Sequence, residues 1–376
     1  MIDPDTLCAR LHEFIVHLFP DEHGHRQKAL TSLVAALIVQ RTCCQAGLAR
    51  AFVNFEAAAK RISRLIHNER LKDRRADDAV LRQALSQLPL HGPVRLAIDW
   101  TIEDTQHLLV ISLIMGRRAI PIYWRAYDAS VLKGRRTRYE QAVIKRVMTQ
   151  LLTRVSRSRL IVTADRGFAD VDLCDLLDSL QIAYILRVKS STKVYLEQEW
   201  CRLADVRFVG ANRYRDLGRV LYCASSPRRL WLSLSRARNA QGDWEVWYLL
   251  SNRKRSAAAR ATEYAHRMGC DEGFRDAKWC LGFMQARIRD IRAWSRMFLL
   301  VATAMLALAS LSVSHLLSDK AQAKRLLRRV TSRRRRRSEL SWLSAMLLLL
   351  TQDLTLLDSL SPLIQFDLNA RLSYMS

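Results

Sequence analysis

Two aspartates in the first half of the chain each lie at the end of a short apolar run. Asp99 lies at the end of Val94–Trp100, and Asp165 ends Arg159–Asp165. A single aspartate after a strand is usually a turn or cap residue. Two that meet at one sheet edge can instead hold Mg²⁺ or Mn²⁺, which prefer carboxylate oxygens. A pair of such ions about 4 Å apart would support phosphoryl transfer, one at the attacking and one at the leaving oxygen.

The elements around these aspartates predict a mixed α/β sheet. Three strands, a helix, a strand, a helix and a strand are predicted at 94–100, 107–115, 119–124, 139–155, 159–165, 171–180 and 183–188. Gly116-Arg117-Arg118 predicts a hairpin turn between the second and third strands. The order is similar to that of the ribonuclease H-like fold, whose first and fourth strands lie side by side. Asp99 and Asp165 would then be neighbours.

The segments flanking this core have other patterns. Residues 1–92 predict a helical N-terminal domain whose interleaved basic residues favour DNA contact over a plain helical domain. Residues 93–317 would form the core domain, interrupted at about 190–253 by a β-rich insertion. Residues 318–376 predict a basic helical tail, in which the run Arg333–Arg337 either follows a DNA backbone or is simply solvated.

Composition points to a polyanionic partner. The 376 residues include 61 Lys and Arg against 36 Asp and Glu, a formal charge of +25. A folded chain this basic is typical of nucleic-acid binding. The eight cysteines form no C-x-x-C pair and no Cys/His spacing, which argues against structural zinc and favours a reduced cytosolic location. The N-terminus lacks the pattern of a signal peptide.

One uncharged segment, Met297–Leu317, is long enough to cross a bilayer. A helix enclosed by a large core has the same composition. The basic stretch before it, at 287–296, and the charge of the whole chain favour the buried helix over a membrane protein.

A motif near residue 270 resembles a known signature. Tyr264, Arg267, Asp271 and Lys278 follow the spacing Tyr, two residues, Arg, three residues, Glu, six residues, Lys. Together with LAIDW, ADRGF, ILRVK and EGFRDAKWCLGF, this resembles the DDE transposases of bacterial insertion sequences of the IS-four type, from about residue 25 to 320. The chain departs from the signature in placing Asp271 where that family has Glu, with Glu272 next. Neighbours on a helix differ by about 100° in direction, so Asp271, which keeps the register, and Glu272, which has the usual length, are alternatives for the third carboxylate.

The resemblance implies a ribonuclease H-like enzyme that cuts an element from double-stranded DNA and joins it to target DNA, working as a homodimer near the nucleoid in the bacterial cytoplasm. Asp99, Asp165 and Asp271 or Glu272 would hold the metal ions. Arg267 and Lys278 would bind backbone phosphates, and Tyr264 would donate its hydroxyl to the same phosphate. Family members that excise through a hairpin stack a flipped base on a tryptophan, here Trp247, for which a core position is the alternative.

Two other functions stay compatible with the sequence. A ribonuclease H-like nuclease would cut DNA without strand transfer. A DNA-binding descendant with a dead metal site would bind DNA without cutting it, and the substitution at Asp271 is the feature that favours this alternative.

Overall fold

A computed structural model describes residues 4–71, 73–208, 211–239, 242–330 and 340–369. The chain forms two compact units, each built from separate segments. The first unit comprises Met1–Leu90, Trp100–Leu132 and Gly269–Ser376. The second comprises His91–Asp99 and Lys133–Met268.

The N-terminal segment of the first unit is helical, as the apolar spacing predicts. Its helices are α1 Pro4–Leu18, α2 Gly24–Gln40, α3 Gln45–Ala49, α4 Phe55–Ile66 and α5 Asp73–Ser86. The amphipathic pattern of α4 is typical: Ile62 and Leu65 are buried, while Arg61 and Arg64 are exposed. The side chain of Asn54 accepts a hydrogen bond from the Ala57 amide and caps this helix.

The predicted hairpin is confirmed in the first unit. Strands β2 (Gln106–Met115) and β3 (Arg118–Asp128) pair antiparallel, and Gly116-Arg117 connects them. Gly116 has φ 63°, a left-handed conformation that glycine adopts without steric cost. The sequence placed the turn one residue too long, because Arg118 already pairs with Met115.

The apolar segment that could have crossed a membrane is the central helix of the first unit. Helix α11 (Ile291–Ser312) continues through a π-helical turn to Leu317, and 94% of its most apolar window is buried inside the protein. It packs against α2, β3 and the C-terminal helix α13 (Trp342–Leu350). Within the protein, the Ser310 hydroxyl of this helix accepts a hydrogen bond from Gln87 Nε2 at 2.8 Å. The buried-helix interpretation is therefore confirmed.

The remaining elements of the first unit are short. They are α6 Ala129–Leu132, α10 Met268–Arg275, α12 Lys320–Val330, α13 Trp342–Leu350, a π-helical turn at Asp276–Cys280 and 3-10 turns at Phe283–Gln285 and Leu354–Ser359. Only the first residue of α10 belongs to the second unit. The apolar part of the tail forms α13 and the separate 3-10 turn, which Asp353 caps. The basic run Arg333–Arg337 lies outside the described residues.

The second unit contains most of the mixed sheet. After β1 (Val94–Glu103, whose last four residues belong to the first unit) come β4 Leu160–Ala164, β5 Ala183–Val188, β6 Lys193–Leu196, β7 Glu199–Arg202, β8 Tyr214–Tyr222, β9 Arg228–Arg238 and β10 Trp244–Ser251. Strands β1, β4 and β5 are parallel neighbours. Strand β10 pairs antiparallel with β5 and extends the sheet through β9, β8, β6 and β7. The β-rich insertion thus continues the core sheet.

The helices of the second unit are α7 Arg136–Leu151, α8 Val171–Ser179 and α9 Ala257–Ala265, with 3-10 turns at Arg157–Arg159 and Leu203–Asp205. Strand β4 is buried along its whole length, as expected for an apolar strand between two parallel neighbours. Asp170 caps α8 by accepting the Leu173 amide at 2.7 Å. This mixed α/β architecture is consistent with the ribonuclease H-like fold.

Candidate functional site

Asp99 and Asp165 lie at the same edge of the sheet. The parallel register of β1 and β4 pairs Ile98 with Ala164. Asp99 is the next residue of β1, which continues to Glu103 rather than ending there, and Asp165 is the first residue after β4. The prediction that the first and fourth strands are adjacent in the sheet is therefore confirmed. Any metal-binding role for the two carboxylates remains a prediction.

The surroundings of Asp165 suit a cation. Its Oδ1 atom is buried and meets no hydrogen-bond donor among the residues that the structure describes. A buried carboxylate oxygen without a donor is costly unless a cation or water completes its shell. Hard oxygen donors of this kind fit Mg²⁺ or Mn²⁺. On this observation the Asp99 and Asp165 carboxylates fit a divalent cation.

Asp99 is engaged by an arginine. The Nη2 atom of Arg267 donates to Asp99 Oδ2 at 2.8 Å, and the two side chains are 6% and 18% exposed. Arg267 lies just after the end of α9, where its backbone amide bonds to the Tyr264 carbonyl. The resemblance implied a phosphate as its partner, whereas in this structure its guanidinium contacts a candidate metal ligand.

A second ion pair connects the same two parts of the chain, and each of its residues lies four positions before Asp99 or Arg267. Arg95 of β1 pairs with Glu263 of α9 through its Nε atom, and its Nη2 lies 3.3 Å from Glu263 Oε2. The pairs Arg95–Glu263 and Asp99–Arg267 thus run in parallel with opposite polarity. Both join the first strand to the segment that carries the Tyr264 motif, so they fix the position of that segment beside Asp99.

Tyr264 and Trp247 are core residues in this structure. Their rings meet edge to face with centroids 5.2 Å apart, and the side chains are 0% and 7% exposed. The indole Nε1 of Trp247 donates to Glu245 at 2.6 Å, and Glu245 pairs with Arg187. The core alternative for Trp247 is the one observed, and neither ring presents a face on which a base could stack.

The segment Tyr264–Lys278, on which the signature residues are expected to be helical, is not one continuous α-helix. Helix α9 ends at Ala265, α10 begins at Met268, and a π-helical turn replaces the α-helix from Asp276. No proline marks these interruptions. At the first interruption Arg267 turns to Asp99, a contact between residues far apart in the chain, which local helical spacing does not reveal.

The two candidates for the third carboxylate have different surroundings in the first unit. Asp271 is exposed on α10. Glu272 is 31% exposed and pairs with Arg118 at 2.6 Å and with Arg275 at 2.9 Å. Two arginines therefore already neutralise Glu272. Lys278 is half-buried in the π-helical turn.

Sequence reasoning missed a buried acid, Asp276, on the same face as Glu272. It is 3% exposed and lies 3.5 Å from Arg118. Burial raises the pKa of Asp276 to about 6, while the nearby Arg118 opposes the rise. Its spacing of four residues from Glu272 was the available signal, since such residues share a helix face.

Glycines bring α10 close to β3. A methyl group on Gly273 would lie 2.5 Å from the Ala119 carbonyl oxygen, and one on Gly269 would lie 3.2 Å from the backbone of Arg117. Contacts under 3 Å are not sustained by real side chains, so glycine at 273 permits this approach. The glycine pair thereby sets the position of the intervening Asp271 and Glu272.

A basic and aromatic surface in the insertion was also missed. Trp244 is 59% exposed, and the Arg238 guanidinium lies 4.5 Å from its ring centroid. A cavity of about 370 Å³ beside it is lined by Ala211, Arg213, Arg236 and Trp244. An exposed indole with guanidinium groups suits the faces and phosphates of unpaired nucleotides. The alternation of side chains along β10 carried the signal, because Trp244 and Trp247 are an odd number of residues apart.

No cluster of three or more His, Cys, Asp or Glu side chains suited to a metal occurs within the part of the chain that the structure describes. The fit to a cation at Asp99 and Asp165 therefore depends on those two carboxylates and on the unsatisfied oxygen of Asp165.

One protein family matches the region of the chain that contains most of the candidate site. Residues 135–307 match the family described as transposase DDE domain. The matched range covers just under half of the chain and includes Asp165 and the Tyr264–Lys278 motif, while Asp99 precedes it. No curated protein matches the chain. The chain is thus similar, over this range, to a domain of enzymes that act on DNA.

Proposed function

We propose that this chain is a DNA transposase of the IS-four type, which cleaves the ends of its element and joins them to target DNA. The single observation that carries the proposal is the register of β1 and β4, which brings Asp99 and Asp165 to one sheet edge. The match to the transposase DDE domain over residues 135–307 supports it. The signature residues Tyr264, Arg267 and Lys278 support the IS-four type.

Asp99 and Asp165 would hold divalent cations, Mg²⁺ or Mn²⁺. The pair of cations that phosphoryl-transfer enzymes use would bind here only with a third carboxylate as a further ligand. When bound, the metal supplies charge stabilisation at the reacting phosphate. The side chains of the protein would hold the phosphodiester in the orientation that the reaction needs.

The third carboxylate would come from α10. We favour Asp271, because it keeps the register of the signature. Glu272 is the alternative, but it would have to leave the two arginines, Arg118 and Arg275, that pair with it. The experiment below therefore tests a variant of each of these two residues.

The remaining signature residues would position DNA. Arg267 and Lys278 supply positive charge for backbone phosphates, and Tyr264 supplies a hydroxyl. Because Tyr264 is buried in this structure, its proposed contact requires the ring to become accessible when DNA binds. Trp247 would face the same requirement, so the exposed Trp244 is the better candidate for stacking an unpaired base.

Charge supports double-stranded DNA as the partner. The chain carries a formal charge of +25, and Arg61 and Arg64 form an exposed basic face on α4. Such faces bind the phosphate backbone without reading sequence. A homodimer that pairs two element ends, in the cytoplasm at the nucleoid, follows from the resemblance and belongs to the same proposal.

The test uses a supercoiled plasmid that carries the element with its native flanks. Wild-type protein with Mg²⁺ should release the element and yield joined products, and Asp271→Asn should abolish both while Glu272→Gln retains them. Cleavage without joined products would instead indicate a nuclease. DNA binding without any cleavage, unchanged by Asp99→Ala, would indicate a catalytically dead descendant and overturn the proposal.

A further inference from the structure

The Asp99–Arg267 pair ties together two groups that the proposed function uses separately. Asp99 would hold a cation, and Arg267 would hold a DNA phosphate. In the structure Arg267 Nη2 donates instead to Asp99 Oδ2 at 2.8 Å. Asp165 differs, because its buried Oδ1 meets no donor among the described residues. One carboxylate of the candidate metal site is thus engaged by an arginine, and the other keeps an oxygen available.

We propose that Arg267 acts as a counter-ion that lowers the cation affinity of Asp99 in the DNA-free protein. A DNA phosphate that takes over the guanidinium would release Asp99 for the metal. Binding of DNA and binding of metal would then be coupled, so that the site is loaded only with substrate present. This inference rests on the proposed function, since it assumes that Asp99 binds metal.

The physical basis is competition for one carboxylate oxygen. A guanidinium and a divalent cation have the same sign of charge, so both cannot sit closely on Asp99 Oδ2 without repulsion. Arg267 is only 6% exposed, and solvent therefore screens the pair weakly. A phosphate is an equivalent partner for the guanidinium, because both anions accept its planar donors.

The neighbouring Arg95–Glu263 pair makes the exchange structurally feasible. It joins β1 to α9 four residues before the Asp99–Arg267 pair. When Arg267 changes partner, this second pair still holds α9 on the strand. Arg95 also provides a matched control, because it is a half-buried arginine on the same strand as Asp99 whose guanidinium pairs with Glu263.

Direct titration with Mn²⁺ in the absence of DNA, followed by electron paramagnetic resonance, tests the inference on the full chain. Arg267→Gln should bind Mn²⁺ about tenfold more tightly than wild type, since it removes a charge-assisted hydrogen bond from the ligand. Arg95→Gln should change the affinity much less. Asp99→Asn should abolish the gain when combined with Arg267→Gln. Arg267→Lys, which keeps the charge but loses the planar donors, should show a smaller gain and serves if Arg267→Gln does not fold.

The outcomes separate this inference from the proposed function. If Mn²⁺ binding depends on Asp99 but neither Arg267 variant binds more tightly than Arg95→Gln, the coupling is overturned and the metal site stands. If Mn²⁺ binding does not depend on Asp99 in any variant, the proposed metal site is wrong, and the proposed coupling fails with it. Coupling is reciprocal, so Mn²⁺ should also tighten wild-type binding of a random-sequence DNA duplex more than it tightens that of Arg267→Gln.

Discussion

The ring of Tyr264 packs edge to face against the ring of Trp247, with centroids 5.2 Å apart and an interplanar angle of 74°. Tyr264 belongs to the signature that resembles the IS-four type, in which its hydroxyl is expected to contact a phosphate, while Trp247 is expected to stack a flipped base. Their contact instead joins α9 to β10 within one hydrophobic cluster. The two residues therefore stabilise the segment that leads to Arg267.

This contact predicts that Trp247 matters for stability. Trp247→Ala removes a 7% exposed ring and leaves a cavity against Tyr264, so the free energy of unfolding should fall by about 4 kcal/mol. Trp244→Ala is the matched control on the same strand, and it should change stability little because that ring is 59% exposed. Denaturant unfolding of both variants measures the difference. Equal losses would contradict the assignment of Trp247 to the core.

The exposed tryptophan should instead matter for DNA. Trp244→Ala should weaken binding of single-stranded DNA about tenfold or more, because base–aromatic stacking contributes about 1–3 kcal/mol per base. Fluorescence anisotropy with a labelled oligonucleotide measures this affinity. Trp200→Ala is the control, since Trp200 is also exposed in the insertion but packs against Tyr195. An unchanged affinity of Trp244→Ala for single-stranded DNA would show that the surface around Trp244 does not bind unpaired bases.

A buried arginine holds α9 on the insertion. Arg260 is 0% exposed, and its guanidinium pairs with Asp216 at 2.5 Å and with Ser233 at 2.9 Å. Asp216→Ala should therefore lower the free energy of unfolding by about 3 kcal/mol, because it leaves a buried charge without its counter-ion. Adding Arg260→Met should restore most of the loss.

The exposed pair Arg228–Asp175 gives the control for this effect. It has the same ionic character, but its side chains are 41% and 45% exposed. Asp175→Ala should change stability little, because water solvates the arginine that remains. A similar loss in both aspartate variants would show that burial of Arg260 is not the cause.

Close packing of α10 on β3 predicts a cost for a single methyl group. Gly273→Ala places a carbon 2.5 Å from the Ala119 carbonyl oxygen and should lower the free energy of unfolding by about 2 kcal/mol. Gly24→Ala, at the start of α2, meets nothing within 4 Å and should be neutral or slightly stabilising. Thermal unfolding compares the two. No cost at Gly273 would mean that α10 can shift away from β3.

The raised pKa of Asp276 predicts a pH dependence of stability. The folded protein binds the proton of the Asp276 carboxyl more tightly than the unfolded chain does. Protonated Asp276 therefore contributes its full stabilisation below about pH 4, and this stabilisation is lost as the pH rises through about 6. The stability of wild type relative to Asp276→Asn should fall by about 3 kcal/mol between about pH 4 and about pH 7. Urea unfolding of both proteins across this range measures it. A relative stability that rises with pH would show that pairing with Arg118 outweighs burial.

The sequence predicts those parts of the fold that depend on local periodicity and element order. The adjacency of β1 and β4 followed from the order of strands and helices, and the β2–β3 hairpin followed from its glycine turn. The burial of α11 was favoured over a membrane span because the surrounding chain is so basic. These features need no knowledge of distant side-chain contacts.

The candidate site contains features that periodicity does not determine. The interruption between α9 and α10 accompanies the contact of Arg267 with Asp99, which joins residues far apart in the chain. Alternation along β10 places Trp244 and Trp247 on opposite faces, but only the packing of α9 decides which face is buried. The ion pairs of Glu272 with Arg118 and Arg275 were likewise not visible in the spacing of the signature.

The proposed function requires that Asp99 and Asp165 together bind a divalent cation. Iron-directed cleavage tests it most directly, because Fe²⁺ that replaces Mg²⁺ generates hydroxyl radicals that cut the backbone beside the metal. With ascorbate and peroxide, wild-type protein should be cut near both residue 99 and residue 165, and Asp165→Asn should lose both cuts while the exposed control Asp172→Asn keeps them. Cuts at only one of the two positions, or cuts that survive Asp165→Asn, would contradict the account.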